Sequence, residues 1–312
     1  MKVFRGTKDI ENNIRDTIAT IGVFDGVHIG HRRIIKEVVK RSKVLNLKSV
    51  VVTFDPHPLK VLNPSANVPS LASLEHRRAL IAELGVDYLV ILKFTRSLSK
   101  LSPEIFINNI LIDKLSIKEI YVGENFYFGR GAKAGIETLK KWSIKFGFTV
   151  KVFKPIQTKG RIISSTLIRR LIVNGDIRKA SHFLGRPVSI LGTVVKGSSR
   201  GRIMGYPTAN IDPHHEAIPP SGVYAVRVRY KNKFLKGILN IGVRPTFFKA
   251  KGSEEREPTI EVHIFGFDKR IYGEDIEVIF IKKLRDEKRF KDRYDLIRQI
   301  RRDERMARNI LK

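Results

Sequence analysis

The chain has 312 residues, 42% of them hydrophobic and 18 of them Phe, enough apolar material for two medium domains with buried cores. It has no cysteine, which excludes disulfides, thiolate catalysis and cysteine zinc sites, and no run near the roughly 18 uninterrupted apolar residues of a membrane span. Its 60 Lys plus Arg against 31 Asp plus Glu give a formal charge of +29, which attracts nucleotides and other polyanions without selecting one.

Residues 1–15 mix charges of both signs and lack the apolar stretch and cleavage site of a secretory signal, so a cytoplasmic protein is expected. Candidate strands follow at 17–23, 49–54, 88–92, 119–122 and 148–153, each trailed by amphipathic or capped helical sequence. Ser102-Pro103-Glu104 reads as a helix start, with Ser as N-cap and Pro in the first helical position. This alternation predicts an α/β domain with a parallel sheet and ligands at the C-terminal strand ends. Near Gly185-Arg186-Pro187 the period changes. Strands at 188–195, 222–230, 234–241, 259–265 and 276–281, divided by Gly, Pro and Asn turns, predict a small antiparallel β-barrel closed by a charged helix from about Phe290. The expected domains are therefore 1–185 and 186–312. The dense charge from Lys282 to Lys312 is interleaved with acids and reads as a solvated helix, so nucleic acid is not an expected partner.

Two stretches carry chemistry. The run from Ile21 to His31 (IGVFDGVHIGH) joins a strand end, a Gly-rich turn and a helix start. Free N–H groups at a helix N-terminus bind phosphate, and glycines let it approach the main chain. His28 and His31 fall on the first turn, where both can address one anion and stabilise charge on phosphoryl oxygens; a structural role is the alternative. Further on, Ser164, Ser165 and Thr166 lie between Arg161 and Arg169 at a helix start, placed to hold phosphates or to serve as a plain cap. The second stretch runs from a Gly-rich loop into Pro207-Thr208-Ala209-Asn210. In an extended segment Thr208 and Asn210 share a face and can ligate Mg2+ on ATP, or the run is a turn with an Asx cap. No GxxxxGK[ST] occurs, so P-loop chemistry is excluded, and Gly129 to Ala134 lies too far from its strand for a dinucleotide fingerprint.

His28-Ile29-Gly30-His31 matches the HxGH signature of the nucleotidyltransferase superfamily, and with Gly22, Phe24, Asp25 and Gly26 before it the run resembles bacterial FAD synthetases. Phe54-Asp55-Pro56-His57-Pro58 resembles that family's FxPHP turn, Gly123 to Gly129 its G-x-[DN]-F-x-F-G segment, and Gly160 to Arg169 its GxxISSTxIR motif. The resemblance implies a Rossmann-like domain in which the FMN phosphate attacks the α-phosphorus of ATP. Gly22, Phe24, Asp25, Gly26, His28, His31, Arg161, Ser164, Ser165, Thr166 and Arg169 would then meet ATP. Phe54, Pro56, His57, Pro58, Asn125 and Phe128 would meet FMN.

Downstream, Pro207 to Asn210, Pro220 to Val226, Asn240 to Phe247, Glu261 to His263, Tyr272-Gly273 and Leu284 to Phe290 fall in the order and spacing of the riboflavin kinase domain. That resemblance implies Glu261 as the general base on the ribityl 5′-hydroxyl of riboflavin. It implies Gly197, Gly201, Arg202, Gly205, Pro207, Thr208 and Asn210 on ATP, with Thr208 and Asn210 on Mg2+, and Gly222, Val223, Tyr224, Asn240 and Arg285 on the flavin. Where the family has an acidic D-F-x-x-D-[LI]-Y-G sequence, this chain has Gly266 to Gly273 with Arg270 in place of the later acid. The expected substrates and products are ATP, riboflavin, FMN and FAD, with no membrane partner and a monomer or dissociable homo-oligomer. Two other classes stay open: an RNA-linked adenylating enzyme, prompted by the literal His-Ile-Gly-His, against which no KMSKS-like loop occurs, and a flavin-binding module that has lost one or both activities.

Overall fold

Apolar runs with period two and period 3.6 assemble here into two separate cores. The computed structural model describes residues 1–7, 10, 14–158, 160–197, 205–243 and 258–312. Contacts divide the chain into two compact units, Met1–Val68 with Leu74–Ser165, and Pro69–Ser73 with Thr166–Lys312.

In the first unit six parallel strands, β1 (Lys2–Arg5), β2 (Thr17–Ile21), β3 (Lys48–Asp55), β4 (Tyr88–Lys93), β5 (Ile117–Gly123) and β6 (Thr149–Phe153), form one sheet in the order β1-β4-β3-β2-β5-β6. Helices α1 (Ile29–Val44), α2 (Pro58–Leu62), α3 (Leu74–Ala82), α4 (Pro103–Phe106) and α5 (Ile136–Phe146) connect them, and a short hairpin, β7 (Gln157–Thr158) and β8 (Arg161–Ile162), follows. All five residues of β2 are buried, as expected of a parallel strand covered on both faces. Ala19 and Ile21 enter one core layer, while Ile18 packs with Val38 of α1 and Tyr121 on the opposite face. The chain runs outward from β2 through β3 to β4, then resumes on the other side at β5. Strand order therefore reverses between β2 and β5, and the crevice outside their carboxyl ends is where such sheets receive ligands. The five strands expected in this half are present. The edge strand β1 is additional; its four residues pair with β4, Phe4 opposite Val90, and are too short and too charged at their ends to show a period.

The second unit is a closed antiparallel barrel, β10-β13-β12-β11-β14-β9, built from β9 (Ser189–Val195), β10 (Ala209–Asp212), β11 (Gly222–Tyr230), β12 (Lys233–Val243), β13 (Pro258–Ile264) and β14 (Asp275–Arg285). On β13, Ile260, Val262 and Ile264 are buried in the interior, and Thr259, Glu261 and His263 alternate with them on the outer face. The expected barrel is present, with β10 as a sixth strand that the sequence shows only as the Pro-Thr-Ala-Asn segment. Helices α6 (Ser165–Val173) and α7 (Ile177–Leu184) precede the barrel, and from Thr166 they group with it by contact. Ser181 Oγ accepts the Val188 amide at 3.1 Å, joining α7 to the first barrel strand. The terminal helix α8 (Arg293–Ile310) begins three residues after the expected Phe290, with Asp292 as N-cap. It sets Ala307 and Leu311 against Ala225 and Ile238, and its Asp303, 1% exposed, pairs with Arg285 at 2.9 Å.

Residues Pro69–Ser73 belong to this second unit through a buried carboxylate. Glu216, 4% exposed, accepts the Ser73 amide at 2.7 Å on Oε1 and the Leu191 amide at 3.3 Å on Oε2. The Ala217 amide donates to Ser70 O at 2.7 Å. Glu216→Gln turns an acceptor oxygen into an amide that faces a donor. The expected loss is about 1–3 kcal/mol, the cost of an unmet buried hydrogen bond, read by urea denaturation; an unchanged midpoint would contradict the role given to this carboxylate.

Candidate active sites

The carboxyl end of β2 runs into Gly22-Val23-Phe24, and Phe24 takes the left-handed region at φ 51°. Its ring, 3% exposed, meets His31 edge-on at 5.3 Å. His28 caps α1: its Nδ1 accepts the backbone N–H of His31 at 3.4 Å. The two imidazoles are stacked, centroids 3.6 Å apart at an interplanar angle of 20°. A Cβ on Gly30 would stand 3.1 Å from His28 Cε1, so glycine between the histidines lets the first ring fold back on its own helix start.

Burial lowers His28 to about 4. Burial, then the proximity of His28, holds His31 well below the ordinary imidazole range. Both rings are therefore neutral at pH 7. Because His28 Nδ1 accepts a hydrogen bond, its proton sits on Nε2, as a donor. His31 Nδ1 and Thr20 Oγ1 are buried without a hydrogen-bond partner among the described residues.

These groups border a cleft of about 300 Å3. Its other walls are Gly123 to Phe126 at the end of β5, Phe153 to Ile156 after β6, and Ile163 to Ser165. It thus lies at the reversal point of the sheet. Ser165 Oγ donates to Asp25 O at 2.9 Å, fastening the later segment to the glycine-rich turn.

Of the residues expected on ATP, the cleft brings together Gly22, Phe24, His28, His31, Ser164 and Ser165. Asp25 and Gly26 form a buried helical turn just before α1. Arg161 is exposed on β8 and does not line the cleft. Thr166 and Arg169 belong to the second unit, where Arg169 Nε donates to Pro69 O at 2.6 Å. Asn125, expected on FMN, lines the cleft. Phe54, Pro56, His57 and Pro58 lie at the carboxyl end of β3 and the start of α2, and His57 Nδ1 caps that helix on the Leu59 amide at 3.1 Å. Phe128, also expected on FMN, is 7% exposed in the core, beside Phe106 and stacked on Phe126, and Phe126 is the ring that reaches the cleft. Alternation along this segment does not say which phenylalanine the core takes.

One residue that no motif announces organises this edge of the sheet. Arg77 on α3, 5% exposed, donates from Nη1 to Val23 O at 2.7 Å, Thr53 Oγ1 at 3.1 Å and Phe54 O at 3.3 Å. It also faces Asp55 at 3.7 Å. A single guanidinium thereby joins the turn after β2 to the Phe54–Pro58 turn after β3. A lone arginine among the charged residues of a short helix carries no sequence signal of this.

On the barrel, cross-strand register lines up Asn210 of β10, Glu261 of β13, Asn240 of β12, Val223 of β11 and Arg285 of β14. Directly paired residues share a face, so Asn210, Glu261 and Asn240 stand side by side outside the barrel. A Cβ on Gly197 would fall 1.9 Å from Asn210 Nδ2, so the amide lies directly on the Gly197 backbone. His263, two residues past Glu261, donates from Nδ1 to Pro207 O at 2.8 Å and fastens the segment that carries Thr208. Pro207 and Thr208 line a pocket of about 110 Å3 with Val194, Val262, Phe267, Arg270 and Tyr272, so the stretch that departs from the acidic pattern forms one of its walls. Gly205 is exposed with φ +79°. Gly201, Arg202 and the Arg244 to Phe247 part of the motif lie outside the described residues.

Among residues expected on the flavin, Gly222 holds φ +147° and its missing Cβ would stand 2.7 Å from Arg285 O. Tyr224 is a fully buried side chain that donates to Pro220 O at 2.5 Å and meets Phe280 edge-on. Burial pushes its hydroxyl up to about 12. Arg285 is held by Asp303, which also receives Gln299 Nε2 at 2.8 Å.

An α/β sheet with paired histidines at its reversal point, followed by a six-stranded barrel carrying a carboxylate between two amides, defines a two-unit transferase of the nucleotidyltransferase type. The FAD synthetase profile matches residues 10–167, and the riboflavin kinase profile matches residues 184–311. A bifunctional riboflavin kinase/FMN adenylyltransferase from Buchnera aphidicola subsp. Schizaphis graminum is 38% identical over 97% of this chain and 96% of its own length. Its counterpart from Escherichia coli (strain K12) is 35% identical over 99% and 97%. A crystal structure from Streptococcus pneumoniae described as a macrolide-efflux protein shares the fold, with a TM-score of 0.84 at 30% identity and 99% of both chains covered. No described helix here is long and apolar enough to cross a membrane. The chain belongs to the bifunctional riboflavin kinase/FMN adenylyltransferase family.

Two outcomes follow from this geometry. Because the unfolded chain binds a proton at His28 below about pH 6.5 and the folded chain refuses it until about 4, stability rises with pH across that window. The His28 contribution is at most about 3 kcal/mol. Denaturation midpoints taken from pH 7 to 4 should fall, and fall less in His28→Asn. Separately, Gly197→Ala should displace Asn210 and lower FMN formation at least ~10-fold, one well-made polar contact, while FAD formation from supplied FMN stays within twofold.

Proposed function

We infer that the two family activities divide between the two sites: FMN adenylylation to FAD at the α/β cleft, and phosphorylation of riboflavin to FMN on the outer face of the barrel. The functional partition proposed is 1–185 and 186–312. The observation that carries the first half is the stacked, neutral histidine pair at a helix N-terminus at the point where strand order reverses.

In the cleft an FMN phosphate oxygen attacks the α-phosphorus of ATP, the bond to the β-phosphate oxygen breaks, and pyrophosphate leaves with that electron pair. Neither substrate needs a protein nucleophile, so orientation and electrostatics supply the rate. His28 Nε2–H donates to an oxygen of the reacting phosphoryl group, and His31 acts beside it. The first amides of α1 add their partial positive charge. Gly22, Phe24, Asp25 and Gly26 shape the nucleotide's entry. Ser164 and Ser165, which line the cleft, hold the departing pyrophosphate. Asn125 and the Phe54–Pro58 turn address FMN, and Arg77 keeps that turn in register with the nucleotide turn.

On the barrel Glu261 removes the proton of the ribityl 5′-hydroxyl, the oxygen attacks the γ-phosphorus, and ADP leaves. Gly197, Gly201, Arg202 and Gly205 offer backbone and charge to the phosphates. Thr208 and Asn210 supply hard oxygen donors of the kind Mg2+ prefers, and among the described residues no cluster of three or more His, Asp or Glu competes for a metal. Such an ion, when bound with ATP, neutralises phosphate charge. Gly222, Val223 and Asn240 border the flavin, with Arg285 held beside them. The proposal extends to a cytoplasmic enzyme, monomeric or dissociably oligomeric, whose partners are its small-molecule substrates.

His28→Ala with His31→Ala should cut FAD formation at least ~100-fold, the usual cost of losing oxyanion donors, and leave FMN formation intact. Glu261→Gln should abolish FMN formation and spare FAD formation when FMN is supplied. Chromatographic separation of the flavins formed with ATP and Mg2+ reads both. Wild-type protein yielding neither flavin, or a variant losing both activities together, would refute the assignment.

A further inference from the structure

Thr20 is 1% exposed in the central strand β2, and its hydroxyl has no hydrogen-bond partner among the described residues. Two other buried threonines of the same sheet behave differently. Thr17 donates to Leu115 O at 2.7 Å, and Thr53 donates to Val23 O at 3.0 Å. A buried threonine ordinarily finds a carbonyl, and an exception calls for an explanation. Thr20 follows Ile18 by two positions, so it points to the same side of the sheet, where Ile18 packs on Val38 of α1.

On that side, at the start of α1, His31 Nδ1 is the second buried polar atom lacking a partner, and both residues line the same cleft. One is a hydroxyl donor and the other a ring nitrogen able to accept. The neighbouring ring shows what such a bond accomplishes. His28 Nδ1 receives the His31 amide, which leaves His28 Nε2 with the proton. His31 has no equivalent backbone donor, because it lies inside α1, where the amide three residues on is committed to the helix. Among the described residues no hydrogen bond to its Nδ1 sets its tautomer.

We propose that Thr20 is a positioning residue for adenylyl transfer: when nucleotide fills the cleft, its hydroxyl donates to His31 Nδ1, directly or through one water, and so places the His31 ring proton on Nε2, toward the phosphate. Both histidines then present the same N–H to the reacting group. Thr20 is 1% exposed, so its effect on the reaction passes through His31. The inference rests on reading the cleft as the adenylyl-transfer site.

The test uses the full chain with Thr20→Val, which keeps the shape and removes the hydroxyl, and Thr20→Ser, which keeps the hydroxyl. For Thr20→Val the expected result is a kcat for FAD formation reduced about 10-fold, one hydrogen bond acting in the transition state. The KM values for ATP and FMN stay within twofold, and FMN formation and thermal midpoint do not fall, since an unpaired hydroxyl adds nothing to stability. Thr20→Ser restores kcat to within about threefold of wild type. Nitrogen NMR of 15N-histidine protein with FMN and a non-hydrolysable ATP analogue should report His31 protonated on Nε2 in wild type and a mixture of tautomers in Thr20→Val. A Thr20→Val enzyme with unchanged kcat, a Thr20→Ser enzyme equally impaired, a loss confined to KM, or an unchanged His31 tautomer would each overturn the proposal. Failure of wild type to form FAD would instead fall on the functional reading, and the NMR result judges Thr20 independently of turnover.

Discussion

Two imidazoles stacked face to face in a buried helix start cannot both carry charge, and the α/β unit is arranged around that constraint. Stacking at 3.6 Å requires the glycine between the histidines and the cap from His28 to the His31 amide. It also requires Phe24 at left-handed φ to close the far side of His31. Desolvation then makes the rings neutral donors, in contrast to an arginine or lysine clamp, which would hold ground-state and transition-state phosphate alike. The reversal of strand order between β2 and β5 leaves room outside those rings for substrate, and Arg77 prevents the two loops on the other side of β2 from drifting apart.

The barrel solves a related problem with different parts. A β-strand places every second side chain on one face, and register across neighbouring strands turns that into a row. Here the row places Glu261 between two amides, with Asn210 laid on a glycine and Asn240 beside Gly242. The ion pair of Arg285 with the deeply buried Asp303 fixes the end of β14 to α8, and so fixes the last member of the row. His263 performs a comparable service for the Pro207 to Asn210 segment. The product of one family activity, FMN, is the nucleophile of the other, so one chain supplies consecutive chemical steps.

The net charge of +29 explains little of this. Most of the basic side chains are solvated, whereas the residues that organise the two sites are glycines, amides, hydroxyls and uncharged imidazoles. Where cations do organise the structure, as at the buried Arg77 and the half-buried Arg285, they are bound to carbonyls or a carboxylate.

The sequence by itself marked two segments as the candidates for handling phosphate. A glycine-rich turn between a strand and a helix, and a Thr-Ala-Asn segment after a glycine loop, are local chemistry with local signatures. The same holds for the parallel sheet and the barrel, because strand and helix periods can be read without knowing what packs against them. Tertiary structure alone decided which of two phenylalanines, Phe126 or Phe128, faced the cleft, and that Tyr224 belonged to a core. It also placed Arg77 under two loops that lie thirty residues apart in the chain, and left the Thr20 hydroxyl and His31 Nδ1 without hydrogen-bond partners among the described residues. Burial and pairing are properties of a side chain's neighbours, and those neighbours are brought in by strand order, which no short stretch of sequence contains.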